Sequence, residues 1–186
     1  MPLVAFNTHL LQLYSYVEKL RDFVPLKVID EDNLSVSDVP RYFKTLYIPD
    51  DKFILVGGLE RHSNDSSSRT YLIDEKGKLT PLHDLIIPRQ YFTLCSDYAN
   101  ECAYAIGGYN HEKGVLKSVE KFSFKARKWV QQDTNINHGR INASACKCGT
   151  KYLYLFGGLD NRDFLDSIER YNLTLDIWTI LKIKLP

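Results

Sequence analysis

The sequence has no excess of charge of either sign, because 24 lysines and arginines nearly balance 23 aspartates and glutamates. A net charge of +1 gives no long-range field that would draw the chain onto nucleic acid or an anionic membrane. The first residues also lack a basic cluster, and Asn7, His9 and Gln12 interrupt their apolar positions, so they form neither a signal peptide nor a membrane span. These absences predict a cytoplasmic protein.

Cysteine patterns that hold metal are missing as well. There is no C-x-x-C pair and no histidine at zinc-finger spacing, which argues against structural zinc. Two cysteines flank a predicted hairpin turn and could face each other, but without a secretory signal we expect reduced thiols. Three N-x-S/T sequons would matter on an extracellular protein, although motifs this short arise readily by chance. The cysteines are Cys95, Cys102, Cys146 and Cys148, and the sequons begin at Asn64, Asn142 and Asn172.

No catalytic constellation is present in the sequence. It contains no G-x-S-x-G motif, no P-loop and no paired carboxylates at an interpretable spacing. The histidines do not recur at a spacing that would bring several of them onto one metal ion, and we interpret them as polar loop residues. We therefore predict no cofactor, no metal and no enzymatic activity. The histidines are His9, His62, His83, His111 and His138.

What the sequence does contain is an apolar run closed by two glycines, which occurs three times. The second glycines are Gly58, Gly108 and Gly158, so the spacing is 50 residues both times. Regularity at such a period indicates a repeat architecture. The glycines suit positions where φ is positive and two backbones approach closely. The first glycines of the pairs are Gly57, Gly107 and Gly157.

Short β-type runs separated by turn residues fill each period with four predicted strands, and no segment shows convincing helical periodicity. A four-stranded unit of this size cannot bury both faces alone, so such units stack radially into a β-propeller. We predict an all-β chain with three whole blades and about half a blade at the N-terminus. The segments are residues 1–40, a partial blade and an acidic linker, then residues 41–88, 89–139 and 140–186, one blade each.

These repeats resemble the kelch family. Val119-Glu120-Lys-Phe122 with Trp129, and Ile168-Glu169-Arg-Tyr171 with Trp178, each follow a glycine pair at kelch spacing. In the first whole repeat, Thr70 stands where the glutamate is expected and Leu79 where the tryptophan is expected. The tryptophans suit the wedge between adjacent blades, where their large apolar area is buried.

The resemblance also implies a binding surface. An arginine before the first strand of each repeat and the residue after each glycine pair line one mouth of the channel in kelch adaptors that capture peptides. Acidic segments would suit such arginines as ligands. The alternative is that the arginines only brace the connections between blades by bonding backbone carbonyls. The candidate residues are Arg41, Arg89, Arg140, Leu59, Tyr109 and Leu159.

The leading hypothesis is a non-enzymatic protein-interaction module that binds a partner segment with the loops at one mouth of the propeller. The alternative is part of a kelch-propeller enzyme of the sugar- or metal-using type whose ligands lie outside this chain. Because three and a half blades leave apolar sheet faces uncovered, we also expect self-association through open blade faces.

Overall fold

The computed structural model describes residues 39–50, 52–74 and 78–186, together with the backbone of three strands between residues 4 and 26. Those three strands are β1 (Val4–Asn7), β2 (Gln12–Val17) and β3 (Asp22–Leu26), and they form an antiparallel sheet in the order β1-β2-β3. About half a blade was predicted here, and the structure has three strands. The acidic linker predicted before residue 39 lies outside the described residues.

Blade 1 is a four-stranded antiparallel sheet in chain order. Its strands are β4 (Lys44–Ile48), β5 (Lys52–Val56), β6 (Thr70–Ile73) and β7 (Leu79–Pro81). Three residues of β6 are apolar, and all four are buried, as expected for a strand covered on both faces.

Blade 2 has the same topology with a small addition. Its strands are β8 (Thr93–Asp97), β9 (Cys102–Ile106), β12 (Val119–Ser123) and β13 (Lys128–Gln131). Between β9 and β12 lies a two-stranded hairpin of β10 (Tyr109–Asn110) and β11 (Gly114–Val115).

Blade 3 is again a four-stranded meander. It comprises β14 (Ser144–Cys148), β15 (Tyr152–Phe156), β16 (Ser167–Asn172) and β17 (Ile177–Lys184). The prediction of an all-β chain built of four-stranded antiparallel blades is thus confirmed.

The β-type runs of the sequence predicted first strands that begin at Tyr42, Tyr91 and Asn142, and the structure begins them two residues later in each blade. Tyr42, Tyr91 and Asn142 have φ angles of 55°, 54° and 52°, so the chain turns through the left-handed region just before each strand. Tyr42 and Tyr91 gave no sign of this turn, because tyrosine ordinarily favours strands, whereas asparagine is a residue type that adopts the left-handed region more readily.

The first strands of neighbouring blades lie side by side. The Thr93 hydroxyl in β8 donates to the carbonyl of Ala143, just before β14, over 2.6 Å, and the Asn142 N–H donates to the Tyr91 carbonyl over 2.8 Å. Between blades 1 and 2 the Tyr98 hydroxyl donates to the Tyr47 carbonyl over 2.9 Å.

Two apolar clusters fill the seams between the blades. Trp129 is buried between blades 1 and 2, where its ring lies 5.0 Å from that of Phe122 and its indole N–H donates to the Thr70 hydroxyl of blade 1 over 3.0 Å. Trp178 is buried between blades 2 and 3, stacked on Tyr171 at 4.9 Å. Both tryptophans therefore occupy the wedge predicted for them.

Burial of Trp178 between blades 2 and 3 predicts that truncation of its side chain lowers the stability strongly. Trp178→Ala should lower the free energy of unfolding by about 3 to 5 kcal/mol, because it removes a buried aromatic ring and leaves a cavity. The neighbouring Thr179→Ala is the control, since Thr179 is exposed on the same strand and should change the stability by less than about 0.5 kcal/mol. Urea unfolding of both variants measures the difference, and equal midpoints would contradict burial of Trp178 in the seam.

Candidate interaction surface

Each glycine pair brings the start of its own blade against the residue that follows the pair. The Arg41 N–H donates to the Leu59 carbonyl over 2.7 Å, and the Leu59 N–H donates back over 2.7 Å. The same two-residue bridge recurs in blades 2 and 3, where it joins Gln90 to Tyr109 and Ile141 to Leu159.

The glycines make this approach sterically possible. Gly58 has a φ of 105°, and a Cβ atom on it would lie 2.3 Å from the Arg41 carbonyl oxygen. Gly158 has a φ of 94°, and its Cβ would lie 2.6 Å from the Ile141 carbonyl oxygen. A side chain at either position would push the two backbones apart, so the predicted close approach and positive φ are confirmed.

Leu59, Tyr109 and Leu159 are half-buried at equivalent positions of three adjacent blades. We call the surface formed by these three residues and the loops beside them the glycine-pair end. The Ser66 hydroxyl of blade 1 donates to the Tyr109 carbonyl of blade 2 over 3.1 Å, which holds neighbouring loops together at this end. The structure therefore places these three candidates in one type of environment.

Arg89 lies elsewhere, inside the blade. Its side chain is 0% exposed and donates to the carbonyls of Gly107 and Ser118 over 2.9 and 3.1 Å. It also pairs with the Glu120 carboxylate at 2.7 Å.

Arg140 repeats this arrangement in blade 3, with a 0% exposed side chain that donates to the Gly157 carbonyl over 2.8 Å and pairs with Glu169 at 2.5 Å. This geometry matches the bracing alternative for Arg89 and Arg140. Contact of either guanidinium with a partner remains a prediction.

The paired glutamates also hold the segment that enters the blade. Glu120 accepts the backbone N–H groups of Ile86 and Ile87 over 2.7 and 3.0 Å. Glu169 accepts those of Asn137 and His138 over 2.7 and 3.0 Å. Each carboxylate thus holds the linker from the preceding blade by its backbone. It also neutralises the arginine of the same linker, Arg89 for Glu120 and Arg140 for Glu169.

Burial has the expected electrostatic effect on the arginines. Removal from water lowers the pKa of Arg89, and the Glu120 carboxylate opposes that shift by favouring the charged form. The pKa of Arg140 is lowered for the same reason, with Glu169 opposing. An arginine this far from water stays charged because its counter-charge is hydrogen-bonded directly to it.

Arg41 does not occupy the position of Arg89 and Arg140, so its predicted equivalence to them is wrong. Counting from the left-handed residue before each first strand, Arg41 matches Gln90 and Ile141, whereas Pro40 stands at the arginine position. The Arg41 side chain is half-buried, bonds the Asn64 side-chain oxygen, and leaves its Nε without a partner among the described residues. The candidate set is therefore split between two locations.

The glutamate position of blade 1 is also displaced by one residue. Glu120 pairs across the sheet with Ala105 and Glu169 with Leu155, and the residue paired with the corresponding Leu55 is Tyr71, not Thr70. Blade 1 thus lacks both members of the buried ion pair. The slip arises because the loop after the glycines varies in length between the repeats.

The other reactive side chains do not gather into a site. His62, His83 and His111 are exposed, and no group of three or more His, Cys, Asp and Glu residues that could hold a metal occurs within residues 39–50, 52–74 and 78–186. His9 lies outside the described residues. All four cysteines are free thiols, and burial raises the pKa of Cys95 to about 12, which keeps that thiol protonated.

None of the described residues belongs to a helix with the length and apolar character that a membrane span requires.

Comparison with known proteins agrees with this architecture. Residues 95–133 and 140–183 match the kelch motif. A RING finger domain and kelch repeat-containing protein of Dictyostelium discoideum is similar to this chain, with 29% identity over 129 residues. The match covers 68% of this chain and 12% of that protein, so the chain spans only a small part of its relative.

The buried ion pair makes a prediction about coupled stability. Glu169→Gln should lower the free energy of unfolding by about 3 to 5 kcal/mol, because the Arg140 guanidinium stays buried without a counter-charge. Adding Arg140→Met should recover part of that loss, since the double variant no longer buries an unpaired charge.

The surface pair of Lys184 with Asp166 is the control, because its side chains are 68% and 53% exposed. Asp166→Asn should change the free energy of unfolding by less than about 1 kcal/mol. Denaturant unfolding of Glu169→Gln, Arg140→Met, their double variant and Asp166→Asn tests the pair, and strictly additive losses for Glu169 and Arg140 would contradict the coupling.

Proposed function

We propose that this chain, in which residues 95–133 and 140–183 match the kelch motif, is a non-enzymatic protein-interaction module that binds a partner segment at the glycine-pair end. Kelch repeats generally mediate protein–protein interaction. The observation that carries the proposal is the recurrence of Leu59, Tyr109 and Leu159, half-buried side chains delivered to equivalent places by three tight backbone bridges.

The chemistry of that end suits a peptide more than a rigid small ligand. Its three side chains offer apolar surface and one phenol, and the loops beside them expose polar groups. Tyr109 packs edge-on against His111 at 6.0 Å, so its ring is held by a neighbour on the same hairpin. A rigid aromatic side chain of this kind is a common energetic centre of protein interfaces.

A photo-crosslinking amino acid at position 109 tests the proposed surface. The replacement should give a discrete crosslinked partner in cells, because Tyr109 would lie at the centre of the contact. The same replacement at Tyr98 is the matched control, since this tyrosine is 49% exposed at the opposite end of blade 2. Crosslinks from position 98 together with none from position 109 would reject the glycine-pair end as the binding surface.

A second contact is proposed for the outer face of blade 3. In blade 2 the residues Cys102, Tyr104 and Ile106 of β9 are buried in the cluster shared with blade 3. Tyr152, Tyr154 and Phe156 hold the same positions in β15, yet they are only half-buried and belong to neither buried cluster of the described residues.

The equivalent surface of blade 2 is covered by another sheet, so we propose that a second copy of the chain covers this one. The rings already form a ladder, with centroid distances of 6.3 Å between Tyr152 and Tyr154 and 6.2 Å between Tyr154 and Phe156. The Arg170 guanidinium lies 4.4 Å from the Tyr152 ring centroid. Such an aromatic surface is typical of a contact between sheets.

Light scattering under reducing conditions tests this contact. The chain should be larger than a monomer, and Tyr154→Lys should shift it towards the monomer, because a charge would be buried in the contact. Val130→Lys adds the same charge at a 58% exposed residue of the outer strand β13 in blade 2 and should leave the mass unchanged. A monomer over a wide concentration range for the unmodified chain would contradict the self-association.

A further inference from the structure

A cleft of about 240 Å³ opens at the glycine-pair end between the loops of blades 2 and 3. Three side chains that can carry positive charge line it, and these are Lys117, His138 and Arg162. All three residues are exposed. Their side chains form no hydrogen bond or close ion pair with another described residue, although Arg162 and His138 interact electrostatically with the Asp160 carboxylate. The cleft therefore presents cationic donors that the fold itself does not use.

One carboxylate, that of Asp160, also lines the cleft. It accepts the backbone N–H groups of Arg162 and Asp163 over 2.7 and 2.9 Å, and these bonds lower its pKa. Asp160 thus shapes the loop that carries Arg162. With one carboxylate against two permanent positive charges and a histidine, the cleft retains a net positive balance.

The corresponding place between blades 1 and 2 has different chemistry. The carbonyls of Ser68 and Lys117 accept equivalent linker N–H groups, from Leu85 and Ile136, so Ser68 stands at the position of Lys117. The Asn110 side chain makes the same two-bond turn as Asp160, which places Glu112 at the position of Arg162. The repeat architecture therefore does not require the positive charges.

Gly139 lines the cleft beside the closely packed backbone of residues 115 and 116. A Cβ atom on Gly139 would lie 3.2 Å from the carbonyl oxygens of Val115 and Leu116 and 3.3 Å from the Lys117 side chain. Pro88 holds this position in the linker between blades 1 and 2, directly before the buried arginine. A side chain at position 139 would thus crowd these two carbonyls and the Lys117 side chain.

We propose that this cleft binds an anionic group, a carboxylate or a phosphoryl group, on the partner segment. Lys117 and Arg162 would flank the group and donate charge-assisted hydrogen bonds, and His138 would add a third donor. The cleft adjoins Leu159, because Asp160 directly follows it in the chain. A peptide whose acidic side chain occupied the cleft would place its neighbouring residues against Leu159 and Tyr109 of the glycine-pair end. The inference rests on the proposed function and specifies the chemistry of the partner.

Fluorescence anisotropy on the full chain tests the cleft with labelled peptides that contain three consecutive glutamates, three glutamines or a phosphoserine. The glutamate peptide should bind at least about tenfold more tightly than the glutamine peptide, through charge-assisted bonds. The double variant Lys117→Gln/Arg162→Gln should remove that advantage. Tighter binding of the phosphoserine peptide than of the glutamate peptide would identify the group as phosphoryl, and the reverse order as a carboxylate.

The matched control is Lys128→Gln/Lys182→Gln, which removes the same charge from exposed positions on the outer strands β13 and β17. It should change the affinity by less than about twofold at physiological salt, where distant surface charges are screened. Equal weakening by both double variants, or equal binding of the glutamate and glutamine peptides, would overturn the inference. If the peptides gave one of these results while position 109 still crosslinked a partner, the proposed function would stand without this cleft. If position 109 gave no crosslink either, both the proposed function and the cleft would be rejected.

Discussion

In blades 2 and 3 a buried guanidinium joins the preceding linker to the sheet that follows it, and neighbouring contacts at the seam depend on this connection. The carbonyl of Arg89 accepts the Gly58 N–H of blade 1 over 2.9 Å. Its guanidinium donates hydrogen bonds to Gly107, Ser118 and Glu120 of blade 2. One residue thereby fixes where the preceding glycine pair ends and where the next sheet begins. Arg140 makes the same backbone contact with Gly108, so the positions of Leu59 and Tyr109, and with them the proposed binding surface, depend on the bracing arginines.

Most of the fold could be predicted because short sequence patterns specify it. The glycine pairs recur at one period, and each is preceded by an apolar strand of similar length, so blade number and strand order follow from the sequence. The prediction failed by one residue at two positions of blade 1. Arg41 and Thr70 were assigned by counting residues along the chain, whereas the backbone turn at Tyr42 and the pairing of Tyr71 with Leu55 decide the true positions.

The candidate site was predictable only in part, for a related reason. Leu59, Tyr109 and Leu159 follow the glycines directly, so their common location could be inferred from the repeat alone. Lys117, His138 and Arg162 come from three segments in two blades, and only the folded arrangement of their loops brings them to one cleft. Their signal in the sequence was a departure from the repeat, with charged residues at positions where the preceding repeat has serine, isoleucine and glutamate.

The replacement of an ion pair by Pro40 and Tyr71 in blade 1 bears on how the repeats could diverge. Loss of the arginine alone would strand a carboxylate in the interior, and loss of the glutamate alone would strand a cation, so either step by itself passes through a weakened protein. With both changed, blade 1 carries no charge at either of these two positions. Positions 40 and 71 lie 31 residues apart in the sequence, yet the cost of an unpaired buried charge couples them. The first repeat therefore differs from its neighbours at both positions together.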